Sequence, residues 1–107
     1  MAHYVMLSTL SESGRKVIHA RPGWIRKVNQ ELSRRGAKVL AQYALLGPYD
    51  FVTILEAADN ETVTSISIEM GARGSVQMMT MPAIPLDTFI NRLERSRPTP
   101  RRKGKRR

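Results

Sequence analysis

The chain has no cysteine in its 107 residues. Disulfides and thiolate metal sites are excluded, and a reducing, cytoplasmic setting is expected. Aromatic residues are few, one Trp, two Phe and three Tyr. No apolar run approaches the roughly 20 residues a membrane helix needs, and the start, Met1 to Leu10, lacks the basic region of a secretory leader. The motifs of several chemistries are also missing. There is no phosphate-cradling glycine loop, no Ser, His and Asp arrangement and no paired-carboxylate motif. At this length one domain with a modest core is expected.

Acidic residues stop at Glu94. Up to that point ten Lys or Arg stand against all nine Asp or Glu, a net of +1, whereas Arg95 onward carries eight basic residues and no acid, a net of +8. The formal +9 of the chain is therefore a property of its end. Residues 95–107 hold two prolines, repelling charges and nothing to form a core, so they read as a disordered basic tail. Arg101, Arg102, Lys103, Lys105, Arg106 and Arg107 would suit an electrostatic arm for nucleic acid or an anionic surface; a solubilising extension explains them equally.

Leu45-Leu46-Gly47-Pro48-Tyr49-Asp50 breaks two apolar runs, Val39 to Leu46 and Phe51 to Leu55, and predicts the turn of a central β-hairpin. Before it, Tyr4-Val5-Met6-Leu7 predicts a strand. Ser11 can cap a short helix reaching about Ala20. Pro22 opens a second helix in which Ile25, Val28 and Leu32 share a face and Gly36 ends the run. After the hairpin, Asp59 can cap a helix carrying Val63, Ile66 and Met70 on one side. Ser75 to Met81 predicts a fourth strand ended by Pro82. Pro85 opens a last helix whose Leu86, Phe89, Ile90 and Leu93 could pack at the sheet margin.

The order strand, helix, strand, strand, helix, strand is that of an α+β, ferredoxin-like βαββαβ fold, an antiparallel four-stranded sheet with its helices on one face and an extra C-terminal helix. All the strands place apolar residues at both parities, where a sheet with one wet face would alternate. The second face therefore needs a cover. A second copy of the sheet supplies it most economically, predicting a homodimer.

The hairpin residues Gly47, Tyr49 and Asp50, with Tyr4-Val5-Met6-Leu7, Gly36, Glu56 to Glu61 and Gly74-Ser75-Val76 through Thr80 and Ala83, resemble the GYD domain family. The likeness covers about Ala2 to Leu93, giving a domain at 1–94 followed by the tail at 95–107. The resemblance implies a dimeric α+β barrel and says little about activity. Similar barrels serve as small-molecule sensors or as cofactor-free or haem-using enzymes, an analogy of fold alone.

Five residues are candidates for a ligand site. Tyr49 and Asp50 could present a phenol and a carboxylate to a small molecule, or hold the turn through a packed ring and Asx bonding. Gln42 and Tyr43 are adjacent on a strand and face opposite sides; a Gln in an apolar strand asks for a ligand, water or interface partner. Arg73 could grip a carboxylate or phosphate, cap helix carbonyls electrostatically, or simply be solvated. Met78, Met79 and Met81 read as gap-filling core residues more readily than as a Cu(I) site, because only Met79 and Met81 share a side. His3 and His19 have no acidic neighbours at metal spacing. The absence of an evident acid, base or metal set favours a non-catalytic barrel that binds a metabolite or acts in regulation over a cofactor-free or haem-using enzyme; a nucleic-acid-associated protein acting through the basic tail is the third reading.

Overall fold

The computed structural model of the protein describes residues 1–97. The elements follow as β1 (Ala2–Leu10), α1 (Glu12–Ala20), α2 (Trp24–Arg34), β2 (Lys38–Ala44), β3 (Phe51–Ala57), α3 (Asn60–Ala72), β4 (Val76–Ala83) and α4 (Leu86–Ser96). The strands form one sheet in the order β2-β3-β1-β4, and every neighbouring pair is antiparallel. This is the ferredoxin-like arrangement that the element order predicts. The expected nucleic-acid residues, Arg101 to Arg107, lie outside the described residues. No helix among the described residues is long and apolar enough to cross a membrane.

Local chemistry explains the helix limits. Ser11 accepts the Gly14 N–H through its hydroxyl at 3.1 Å, and Asp59 accepts the Thr62 N–H at 2.9 Å, so both predicted N-caps form. At the end of α2 the Ala37 N–H reaches the Leu32 carbonyl at 2.9 Å and the Gly36 N–H reaches that of Ser33 at 3.1 Å. That pair of bonds is a Schellman cap with Gly36 as its C′ residue.

The core lies between the helices and one face of the sheet. Tyr4 and Met6 of β1 and Leu55 and Ala57 of β3 meet Leu32, Ala37, Val63, Ile66 and Met70 there. Their alternates, Val5, Leu7, Val52 and Ile54, look out from the other face and stay half-buried. Nothing among the described residues covers that face.

Three limits differ from the sequence expectation. β2 ends at Ala44, leaving Leu45 and Leu46 in the loop. β4 runs through Pro82 to Ala83 instead of stopping at the proline, because β4 is an edge strand and an edge position can lack an N–H without breaking the ladder. Finally, α4 carries on through Arg95 and Ser96 and buries none of its residues, so it does not pack into the sheet margin of its own chain.

Candidate functional site

The hairpin turn is built around a main-chain exception and a carboxylate. Gly47 has φ of 139°, a conformation closed to side-chain-bearing residues, which explains glycine at the head of the turn. Asp50 then ties three segments together. Its carbonyl accepts the Leu45 N–H at 2.8 Å, its own N–H donates to the Ser8 carbonyl at 2.8 Å, and its Oδ2 accepts the Leu10 N–H at 2.7 Å. The carboxylate is thus occupied by the backbone at the end of β1. Tyr49 points elsewhere. Its hydroxyl lies 4.0 Å from Met79 Sδ, over a shallow cleft of about 290 Å³ that Leu7, Thr9 and Gln77 also line on the uncovered sheet face.

Gln42 and Tyr43 separate as the strand period requires. Gln42 faces the helices, where its Oε1 accepts from Asn29 Nδ2 at 2.7 Å and its Nε2 donates to Thr53 Oγ1 at 3.0 Å. These groups border a cavity of about 50 Å³ between α2 and the sheet, walled by Trp24, Val28 and Phe51. That volume suits water, each molecule needing roughly 10–15 Å³ by this measure, and is too small for a metabolite. Asn29 was not singled out by sequence reasoning. The signal was its position, four residues after Ile25 and three before Leu32, which puts a polar side chain on the buried seam of α2. Tyr43 stands on the opposite, uncovered face and is 63% exposed.

Arg73 is engaged inside the molecule. Its guanidinium grips Glu31 of α2 through both terminal nitrogens, one of them at 2.8 Å, while Arg35, the C-cap residue of α2, bonds Glu69 of α3. This four-charge cluster pins α2 to α3. The Arg73 hydrogen bonds hold the Glu31 carboxyl below its ordinary range, and the Arg35 hydrogen bond does the same for Glu69.

A second cleft, about 380 Å³, opens between α3 and β4. Its polar groups are neutral: Tyr4 donates to Asn60 Oδ1 at 2.7 Å, and the Ser67 and Thr80 hydroxyls meet at 3.1 Å. Among the described residues no three His, Cys, Asp or Glu gather as a metal-binding group. The five candidates therefore occupy four places, with only Tyr43 and Tyr49 sharing a face.

The GYD domain model matches residues 4–93. The chain belongs to the GYD family. This GYD protein is 46% identical over 95 residues to a protein of Thermus thermophilus described as a glutamine synthetase and cystathionine beta-lyase binding protein, covering 88% of the chain and 100% of that relative. Among solved structures it resembles MtbAldR with a TM-score of 0.60 at 25% identity, over 78% of this chain and 52% of that one. The GYD chain thus spans about half the length of MtbAldR. It also resembles FFRP-DM1 with a TM-score of 0.52 at 21% identity, over 78% of this chain and 100% of that one, a likeness of fold.

In the GYD domain the signature turn places its aromatic residue, Tyr49, at the rim of the uncovered sheet face and uses its acid for architecture. That face combines Val5, Leu7, Ala41, Val52 and Ile54 with Tyr43, Met79 and Met81, the last two 50% and 38% exposed. Charge appears at one end, where Glu56 pairs in register with His3 on one side and Lys38 on the other. An apolar centre with a polar margin is the composition of a protein-binding surface.

Proposed function

We propose that this GYD protein is a non-catalytic homodimer that regulates enzymes by binding them, with a glutamine synthetase and a cystathionine β-lyase as its first candidate partners. The observation that carries the reading is the 46% identity that extends over the whole of a relative described as binding those two enzymes. The geometry is compatible with it in two ways. The carboxylate and guanidinium singled out as ligand candidates, Asp50 and Arg73, are satisfied within the chain. The large uncovered surface is an apolar sheet face, and in this reading two copies pack face to face through it, which supports the homodimer and leaves the enzymes to the outside of the pair.

The test uses the purified full-length chain with glutamine synthetase and cystathionine β-lyase from the same source, followed by sedimentation velocity and calorimetry. A saturable complex with one or both enzymes, at a dissociation constant of about 10 μM or tighter, is expected. Absence of a complex with either enzyme at about tenfold higher concentration, with and without the enzymes' substrates, overturns the assignment.

A further inference from the structure

The last helix has no surface to lie on. Leu86, Phe89, Ile90 and Leu93 recur at i, i+3, i+4 and i+7, so they form one apolar stripe, yet they remain 41–69% exposed and no residue of α4 is buried. Eleven residues are too few to make a stable helix in water without tertiary support, since isolated helices below about 12–15 residues are marginal. An apolar stripe on so short a helix gains its stability from a surface that covers it.

The chain carries a matching one at the far rim of its sheet. β4 and β2 are the two edges. β2 has a register shift between Val39 and Ala41 that leaves Leu40 as an extra residue, and Leu40, Tyr43, Leu45 and Leu46 are 43%, 63%, 39% and 105% exposed. In its own chain α4 does not lie on that rim, since none of its residues is buried. Only Ile84 and Pro85 link it to β4, and β1 and β3 stand between the two edges.

We propose that α4 is an exchanged arm, laid by each copy of the chain across the β2 rim and the following Leu45-Leu46 of the other copy. The inference rests on the face-to-face dimer proposed above and adds the element that completes its interface. A two-fold axis running along the strands places the β4 rim of one copy over the β2 rim of its partner, so each arm meets its rim and the contact occurs twice. Area supports the same arrangement. Four strands about 4.8 Å apart and about seven residues long offer a footprint of about 450 Å², short of the roughly 800 Å² per partner of a standard stable interface. A helix of this length is about 16 Å long and 10 Å wide, so donating one arm and receiving another adds about 300 Å² and brings the total close to that standard.

The cysteine-free chain makes the test direct. Ile90→Cys and Tyr43→Cys variants, distinguished by a mass tag, are mixed and treated with a short bismaleimide. A crosslinked pair containing one chain of each kind is expected. Pairs formed only by Ile90→Cys with itself would put arm against arm and overturn the proposal, as would a double variant that crosslinks only within one chain. In parallel, Phe89→Ser/Leu93→Ser, which changes exposed positions outside the core, is expected to weaken dimerisation by roughly tenfold or more in sedimentation equilibrium, with any loss of far-ultraviolet helical signal confined to the one unsupported arm. An unchanged dissociation constant refutes the arm while leaving the sheet-to-sheet dimer standing. A native chain that is monomeric at about 100 μM refutes the dimer and the arm with it.

Discussion

Replacing Asp50 tests whether the acid of the signature turn is architecture. In Asp50→Ala the Leu10 N–H loses the carboxylate oxygen that accepts it at 2.7 Å, while the two backbone bonds of residue 50 are untouched. Leu10 is 8% exposed, so water has little access to the freed donor. A hydrogen bond to a charged group is worth about 1.5–3 kcal/mol, which sets the expected loss at about 2 kcal/mol. Asp50→Asn keeps an oxygen in place and gives up the charge, so about 1 kcal/mol is expected. For a domain of this size, about 4–8 °C accompanies each kcal/mol, so Tm should fall by about 10 °C for Ala and about half that for Asn. Urea unfolding at one fixed protein concentration measures the difference, and hydrogen exchange at the Leu10 amide should accelerate in step. Stability within about 0.5 kcal/mol of the native chain, with enzyme binding lost, would refute the reasoning and make Asp50 a contact residue.

Gly14→Ala should destabilise the protein even though alanine favours a helix by about 1 kcal/mol. A Cβ at Gly14 would lie 2.1 Å from the Ser75 carbonyl oxygen, a backbone atom that cannot swing aside, so a net loss of about 1–3 kcal/mol is expected in chemical denaturation. Gln42→Leu leaves Asn29 on the seam of α2 without its 2.7 Å partner, and a double-mutant cycle with Asn29→Leu should recover about 1 kcal/mol or more relative to additivity. Acid should also loosen the α2–α3 contact. The Glu31 and Glu69 carboxyls are held below their ordinary range chiefly by hydrogen bonds from Arg73 and Arg35, so their stabilisation is complete above the unfolded carboxylate value of about 4.3 and is lost as pH falls through the lower folded values. Glu31→Gln should accordingly flatten the acid limb of a Tm against pH profile, and an unchanged limb would contradict the assignment.

The sequence by itself determined the order of elements, the caps and the faces, because each is set by chemistry within a few residues along the chain. Ser11 and Asp59 cap through side chains that reach only the next turn, Gly36 and Ala37 close α2 through bonds to Ser33 and Leu32, and alternate residues of a strand diverge whatever surrounds them. The opposed directions of Gln42 and Tyr43 were legible for the same reason. Tertiary structure alone decided what those side chains meet. Arg73 finds Glu31 across a separation of 42 residues, Asp50 finds Leu10 across 40, and Gly14 is required by the carbonyl of Ser75, a contact between segments that no local pattern encodes. The passage of β4 through Pro82 was likewise hidden, since a proline is permitted by the strand's place at the edge of the sheet, and edges exist only once the strands have been ordered. The apolar stripe of α4 was plain in the sequence, but amphipathic spacing says only that a face seeks cover; which surface, if any, the rest of the chain offers it is decided by how the elements pack, and its own fold leaves that face open.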